Sequence, residues 1–342
     1  MKSLTVILEW LVAPFLFFTG YKSFRDNAAL GNVRLNRLGL HVFRAWLADR
    51  MARLRRLLLG RYVPDSVRKE YEKNGFVMRE SFLSAANFEG VRREVFESDW
   101  PIREMQQGSA RTRKVFLDMA TLAHSHPNLF QLLSSKDLIA QIRYVAGIGG
   151  EPLFTIQHLI CEAGQQTDPQ MMLHQDTFHS TAKAWLYLEN VPEDGCPFSY
   201  VPGSHIRSRR RLRWEYEQSQ RARLHPVLYH ARGSFRASLE DIRCIGLPDP
   251  VRFVVPANTL IIGDTSGFHA RTPTAEKTVH RIEIYASLRR NPFLPWTGLD
   301  FFSLPFIRKN HGAWAIGLMT LLARPGWVKM PWKKTGHGKL RS

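Results

Sequence analysis

Two short stretches of the chain carry residue types that bind metal ions. His174 and Asp176, in MLHQDTFH, are two positions apart, so on a strand both side chains leave the same face. A third candidate, His269, follows the apolar run 259–262 and precedes another strand-like stretch. Two histidines and one carboxylate form the facial triad of non-haem iron(II), whose open positions admit a 2-oxo acid and O₂. Zinc sites are usually closed or keep one vacancy, so these three residues predict an iron(II) centre.

Arg281 has the chemistry to hold an organic acid near that centre. It lies twelve residues beyond His269, past a PTAEK turn, so we expect two antiparallel strands joined by this turn to bring it beside the metal. A guanidinium binds a carboxylate through two hydrogen bonds, a geometry that lysine does not reproduce. Polar and apolar residues alternate in RIEIYASL, so the polar face should line an interior and the apolar face should pack outward. Trp185, in KAWLYLEN, is either a wall of the same pocket or a core tryptophan.

These residues lie in a region with the pattern of a β-domain. From 153 to 289, short apolar or alternating runs are separated by glycine, proline and aspartate, which predicts an antiparallel sandwich or barrel. Upstream, 66–73 and the stretch from 84 read as helices, with a strand between them at 76–79. With 342 residues, the chain has room for one catalytic domain and additions at both ends. We predict an apolar segment and basic helix over 1–64, the catalytic domain over 65–295 and an aromatic, basic tail over 296–342.

Both ends of the chain have features of a membrane interface. The apolar run 4–20 is shorter than the roughly 20 residues of a spanning helix and contains Glu9 and Pro14, which favours an interfacial anchor. A signal peptide and a buried hairpin are the alternatives. Residues 41–61 form a basic amphipathic helix that suits either a solvated face over a core or an anionic membrane surface. Its apolar stripe is Phe43, Trp46, Leu47, Met51, Leu54, Leu57 and Leu58, opposite Arg44, Arg50, Arg53 and Arg56.

The formal charge of +18 calls for an anionic partner: nucleic acid, lipid head groups or an anionic substrate. A cluster of arginines at 207, 209, 210, 211 and 213, continued by Arg221 and Arg223, is either a solvated face or an anion-docking patch. It lacks the interleaved aromatic residues of a single-strand binding groove, so nucleic acid is the least favoured partner. The three cysteines are odd in number and scattered, which excludes a disulfide framework or a paired zinc site.

Taken together, several segments resemble the phytanoyl-CoA dioxygenase family of iron(II)- and 2-oxoglutarate-dependent oxygenases. The segments are EKNGFVMRESFLS near 75, HQDTF at 174, KAWLYLENVPEDGCPFSYVPGSH at 183–205, and GDTSGFHARTP with the later Arg281. The resemblance implies a mainly β fold with flanking helices around a double-stranded β-helix, or jelly roll. It implies that His174, Asp176 and His269 bind the metal and that Arg281 binds the distal carboxylate of 2-oxoglutarate.

Further pocket residues follow from the same resemblance. Trp185 matches the tryptophan that lines the cosubstrate pocket, and Gln157 stands where another pocket residue is expected. The family often has a small hydroxyl residue two positions after the distal histidine, but this chain has Arg271 there. A hydroxyl contact to the cosubstrate would then come from Thr272.

The activity implied is hydroxylation of an unactivated carbon, with iron(II), 2-oxoglutarate and O₂ as cofactors and cosubstrates. The anchor-like segment, basic helix and arginines favour a membrane lipid or glycolipid head group as substrate, for example a lipopolysaccharide sugar such as Kdo. A soluble anionic substrate such as an acyl-CoA, or a non-catalytic jelly-roll module that binds membranes, are alternatives. A halogenase would need a small residue in place of Asp176. Because 2-oxoglutarate and iron(II) are cytosolic, we expect a peripheral position on the cytoplasmic face of a membrane.

Overall fold

The computed structural model describes residues 15–108, 110–163, 168–272, 277–297, 317–318, 320–321 and 330–341. Its helices are α1 (Val33–Arg37), α2 (Leu40–Leu59), α3 (Asp65–Asn74), α4 (Ala85–Glu97), α5 (Met119–Ser125), α6 (Pro127–Leu133), α7 (Lys136–Ala146), α8 (Arg209–Arg221), α9 (Leu228–Ala231) and α10 (Leu239–Ile245). Its strands are β1 (Phe76–Arg79), β2 (Trp100–Gln107), β3 (Ala110–Phe116), β4 (Leu153–Cys161), β5 (Ala182–Tyr187), β6 (Phe198–Tyr200), β7 (Val251–Arg252), β8 (Leu260–Asp264), β9 (His269–Arg271), β10 (Val279–Leu288) and β11 (Lys333–Gly338).

The strands form two sheets that face each other. One has the order β1-β8-β5-β10-β4-β3-β2-β11, with antiparallel pairing throughout, and the other has the order β7-β6-β9. His174 adds an antiparallel bridge to His269, so the chain at 174 borders the small sheet beside β9. From β4 to β10, chain segments therefore alternate between the two sheets except at β6 and β7, which are consecutive and both lie in the small sheet. This is a double-stranded β-helix with flanking helices, and the predicted fold class is confirmed.

Strand β10 illustrates how alternation builds the core. Ile282, Ile284 and Ala286 belong to the main hydrophobic core, which also contains buried residues of α4, α6 and α7 on the outside of the large sheet. The opposite face of β10 looks between the sheets, where aromatic residues such as Trp185 and Phe198 pack at a centroid distance of 4.4 Å. The apolar and polar faces of RIEIYASL thus point as the sequence predicts.

The expected hairpin between His269 and Arg281 does not form. Strand β9 belongs to the small sheet and pairs with β6, whereas β10 lies in the large sheet between β4 and β5. The connection between them therefore crosses from one sheet to the other. His269 and Arg281 still face the same interior, because that interior lies between the two sheets.

Helix α2 packs against the domain with a face that includes Arg44 and Arg55, whereas Arg50 and Arg53, which were predicted opposite the apolar stripe, are exposed on the same side as that stripe. Its buried residues include Arg44, Arg55 and three alanines, while Leu57 is 78% exposed. Arg55 donates hydrogen bonds to the carbonyls of Gly147, Pro292 and Leu294. The fork of a guanidinium can satisfy several carbonyls at once, which explains how an arginine is stable there. The apolar stripe of α2 therefore faces outward, and the interpretation that it covers a core is wrong.

The far end of the chain joins the large sheet. Strand β11 pairs with β2, and Leu340 is fully buried in the main core. The predicted aromatic tail thus contributes a strand at 333–338, while most of its apolar part, at 298–316 and 322–329, lies outside the described residues. The predicted anchor at 4–20 also lies mostly outside them. Among the described residues, no helix is both long enough and apolar enough to cross a membrane.

The arginine cluster divides into buried and exposed members. Arg207 and Arg211 are buried around Glu215, which also contacts His41 at 3.0 Å. Arg209, Arg210 and Arg213 are exposed on the outside of α8. Arg207 and Arg211 fit neither predicted interpretation, a solvated face or an anion-docking patch, because their side chains form an internal ion-pair network.

Candidate active site

The structure brings His174, Asp176 and His269 together. Asp176 Oδ1 lies 3.8 Å from His174 Nε2 and 3.7 Å from His269 Nε2, and one possible ligand atom from each residue lies within 4.8 Å of the others. Donor atoms bound to one ion at about 2.1 Å lie roughly 3 to 4 Å apart, so this spacing suits a shared metal. Backbone hydrogen bonds of 3.0 and 2.9 Å between residues 174 and 269 fix the two histidines side by side.

Both histidines are prepared to act as neutral ligands. Nδ1 of His174 lies 2.7 Å from the Met172 carbonyl and Nδ1 of His269 lies 3.0 Å from the Gly267 carbonyl, so each Nδ1 carries the proton and donates it. Each Nε2 is then unprotonated, with a free lone pair, and it is buried without a hydrogen-bond partner among the described residues. Burial lowers the pKa of His269 to about 4 and that of His174 well below its ordinary value. These orphaned acceptors, beside a carboxylate, fit an iron(II) ion.

Cations surround the carboxylate. Lys183 lies 2.6 Å from Asp176 Oδ2, which leaves Oδ1 to face the two histidines. Lys22 comes from the amino-terminal segment and donates a hydrogen bond to the Asp176 carbonyl. Burial alone would raise the pKa of Asp176, but Lys183 and the two histidines outweigh burial and hold it well below its usual range. Asp176 is therefore ionised and available as a ligand.

A cavity of about 260 Å³ opens beside these three residues. It is lined by Met105, Gln107, Thr112, Lys114, Gln157, Gln170, His174, Asp176, Lys183, Trp185, Phe198, His269, Ala270, Arg271, Arg281, Tyr285 and Trp332. The three candidate metal ligands thus share one space with Arg281, Trp185 and Gln157, as expected from the sequence.

Arg281 is held in place by its own strand. Its Nε donates to Glu283 Oε2 at 2.7 Å, and its Nη1 donates to the Cys196 carbonyl at 2.5 Å. Gln157 Nε2 donates to the other oxygen of Glu283 at 2.6 Å. Glu283 is fully buried, so this chain of contacts fixes the guanidinium while leaving Nη2 and one Nη1 hydrogen for a ligand carboxylate. Gln157 acts on this arrangement through Glu283.

Thr272 is not brought to this cavity. It lines a separate cavity with residues such as Leu239 and Arg252. Thr272 is three positions from His269, and an odd spacing on a strand places the two side chains on opposite faces. Arg271 does reach the metal-side cavity and lies 2.6 Å from Asp168. The hydroxyl contact expected from Thr272 therefore has no support in the geometry.

The reverse side of the segment 174–176 is braced by the internal ion-pair network. Gln175, between the two candidate ligands, accepts hydrogen bonds from Arg211 and Arg207. Both arginines contact the buried Glu215. Adjacent side chains of a strand point to opposite faces, so the network can hold Gln175 while His174 and Asp176 face the cavity.

Sequence reasoning missed two contributors to the site, Lys22 and Lys114, and it placed Glu283 on the interior face without assigning it a role. Alternation along ARTRKVF could have placed Lys114 on an interior face as well. Lys22 carries no such signal, because its segment has neither strand nor helix periodicity. Only the packing of residues 22–25 against 231–235 brings it to Asp176.

Comparisons with known proteins give one family. Residues 71–235 match the family model of phytanoyl-CoA dioxygenase. HygX from Streptomyces hygroscopicus, solved with nickel and 2-oxoglutarate bound, is 16% identical over 70% of this chain and 91% of that chain, with a TM-score of 0.44. The non-heme alpha ketoglutarate dependent carbocyclase SnoK from nogalamycin biosynthesis is 18% identical over 66% of this chain and 83% of that chain, with a TM-score of 0.40.

AviO1 from Streptomyces viridochromogenes Tue57 is 12% identical over 65% of this chain and 94% of that chain, with a TM-score of 0.37. No curated protein matches the chain by sequence. The structural likenesses are modest, so the assignment rests on the family model, the order of the strands and the three clustered residues. Over residues 71–235 the chain matches the phytanoyl-CoA dioxygenase family, and it is an iron(II)- and 2-oxoglutarate-dependent dioxygenase that uses O₂ as its oxidant.

Proposed function

We propose that this dioxygenase hydroxylates a carbon of a substrate that carries an anionic group, and that the substrate is a membrane lipid or glycolipid head group. In this proposal His174, Asp176 and His269 hold the iron, and Arg281 holds the distal carboxylate of 2-oxoglutarate. The bound metal would supply the activation of O₂. The protein would position one C–H bond of the substrate and keep water out of the cavity.

The observation that carries the proposal is a half-buried lysine, Lys114, in the cavity. Each of the other three cations that line it has a carboxylate partner: Lys183 with Asp176, Arg271 with Asp168 and Arg281 with Glu283. Lys114 makes neither an ion pair nor a side-chain hydrogen bond with the residues that the structure describes.

The surroundings of Lys114 leave its ammonium in need of an anion. Nζ lies 3.7 Å from the centre of the Tyr285 ring and 5.4 Å from that of Trp332. Burial, together with Lys183, lowers the pKa of Lys114 to about 7, so an anion bound there would favour the charged form. An ammonium flanked by two aromatic rings fits a sugar or head group that bears a carboxylate or phosphate. Kdo, a sugar acid of lipopolysaccharide, has this chemistry.

The test is Lys114→Met, with the exposed Lys69→Met as its control. Substrate-dependent succinate formation would be measured with a Kdo-bearing lipid, with free Kdo and with an acyl-CoA. A lost charge-assisted hydrogen bond costs roughly 1.5–3 kcal/mol, so KM for the anionic substrate should rise about ten-fold or more. The dissociation constant of 2-oxoglutarate should stay within about two-fold of the wild-type value.

Two outcomes would contradict this assignment. Weaker binding of 2-oxoglutarate with an unchanged substrate KM would make Lys114 part of the cosubstrate site. Unchanged values of both would remove its role altogether. Turnover of the acyl-CoA in place of the lipid would favour the soluble alternative, for which Lys114 serves equally well.

A further inference from the structure

We infer that the outward face of α2 is a docking surface for an anionic lipid bilayer. This inference rests on the proposed function and deepens it, because it names the surface through which the enzyme would reach a membrane substrate. The large apolar residues that α2 exposes are Phe43, Trp46, Leu54, Leu57 and Leu58. On a helix of 3.6 residues per turn they occupy one side, over about 23 Å of its axis.

No described part of the protein covers this apolar face. The opposite side of α2 contacts the domain through small residues, including Ala45, Ala48 and Ala52, all nearly fully buried. Arg44 and Arg55 anchor that side by donating hydrogen bonds to backbone carbonyls. Within the described residues, α2 thus turns its alanines toward the core and its leucines toward solvent.

The charge of the face selects the partner. Arg50, Arg53 and Arg61 are exposed along the same side, and the nearby carboxylate of Asp49 is largely covered and paired with Arg53 at 2.8 Å. The preceding helix α1 adds further exposed residues, and Leu38 between the helices is 85% exposed. Aromatic and leucine side chains interspersed with arginines are the composition of a helix that lies in an anionic membrane interface.

A second copy of the chain fits this face poorly. In a two-fold contact the same surface meets itself, so its arginines would be placed against each other, while the nearby carboxylate of Asp49 is already paired with Arg53 of its own copy. Lipid phosphates supply the missing negative charge and also accept the apolar side chains. Charge complementarity therefore favours a bilayer.

The apolar amino-terminal sequence enters the structure beside this surface. Phe15 is 77% and Phe18 is 51% exposed. Arg44 holds their segment against α2 by donating hydrogen bonds to the carbonyls of Phe17, Thr19 and Tyr21. Phe15 and Phe18 therefore add two exposed aromatic side chains to a segment that is held against α2.

The test is co-sedimentation of the full chain with vesicles of phosphatidylcholine alone or mixed with phosphatidylglycerol. Leu57→Glu is compared with Leu239→Glu, an exposed leucine on α10, and Arg50→Gln and Arg53→Gln are each compared with Arg252→Gln. We expect wild type to bind the anionic vesicles at least ten-fold more tightly than the neutral ones. Each lost arginine should weaken binding about five-fold, Leu57→Glu should weaken it at least ten-fold, and the controls should bind like wild type.

The inference would be overturned if the wild-type protein did not bind anionic vesicles, or if the α2 variants bound them as tightly as wild type. If the substitutions change the mass of the particle in solution and leave vesicle binding intact, the face is a contact between copies, which also overturns it. Leu57→Gln, with thermal unfolding measured, separates loss of binding from loss of folding. The α2 variants should keep wild-type turnover of the free head group, so failure of the proposed function would be seen separately, in the Lys114→Met assay.

Discussion

Glu215 is the shared counter-charge of the network behind the candidate ligands, and removing its charge gives the most demanding test of the packing. It is fully buried and contacts Arg207, Arg211 and His41. Glu215→Gln keeps the shape but leaves two buried guanidiniums without a carboxylate. Breaking a buried ion pair costs about 3–5 kcal/mol, a large part of the roughly 5–15 kcal/mol that stabilises a typical domain.

The matched control lies two residues away on the same helix. Glu217 pairs with Arg213 in an exposed ion pair, so Glu217→Gln should change the free energy of unfolding by no more than about 0.5 kcal/mol. Urea-induced unfolding of the iron-free protein at neutral pH measures both values. If Glu215→Gln unfolds within about 1 kcal/mol of wild type, the network does not stabilise the fold as argued.

The pH dependence of this difference has a definite sign. Burial alone would raise the pKa of Glu215, but Arg207, His41 and Arg211 outweigh it and hold the pKa well below the usual 4.5. A carboxyl group with a lowered pKa in the folded state stabilises the protein above its unfolded pKa, and that contribution is lost as the pH falls. The difference in the free energy of unfolding between wild type and Glu215→Gln should therefore become smaller below about pH 4.5.

Three further perturbations follow from the contacts described. Glu283→Gln removes the ionic brace of Arg281, so the dissociation constant of 2-oxoglutarate should rise about ten-fold in calorimetry while iron affinity is kept; equal affinities would contradict this role. The pKa of His269 is lowered to about 4 in the folded protein, so as the pH falls the unfolded chain binds a proton at this residue before the folded protein does. The free energy of unfolding of the iron-free protein should therefore decrease from about pH 6.5 downward. A free energy of unfolding that does not change over this pH range would contradict the burial of neutral histidines. Arg55→Lys loses the fork that binds several carbonyls and should lower the midpoint of thermal unfolding by several degrees, whereas the exposed Arg53→Lys should not change it.

The site could be predicted from sequence where it depends on alternation along strands. His174 and Asp176 share a face because they are two residues apart, and Arg281 faces inward because its polar neighbours alternate with isoleucines. The crossing between β9 and β10 was not predictable in this way. Local spacing shows which face of a strand is polar, but it does not show which of two sheets the next strand joins.

Helix α2 shows the same limit for helices. The sequence predicts Arg44, Arg50 and Arg53 together opposite the apolar stripe, but the face that packs on the domain contains Arg44 and Arg55, and Arg50 and Arg53 are exposed. The carbonyl groups that accept hydrogen bonds from Arg44 and Arg55 lie far away in sequence, as at Gly147 and Pro292, so the local sequence does not predict that these arginines are buried. Strand β11 is hidden for a similar reason, because its partner β2 is more than 200 residues earlier.

The central claim is that His174, Asp176 and His269 hold iron(II) with 2-oxoglutarate anchored at Arg281. Its most direct test is anaerobic titration of the purified protein with iron(II) and 2-oxoglutarate, following the weak visible charge-transfer band of the chelate. We expect the band in wild type and in the exposed His124→Ala control, no band in His174→Ala, and a need for far more 2-oxoglutarate in Arg281→Ala. Absence of the band in folded wild type, or its persistence unchanged in His174→Ala, would contradict the assignment.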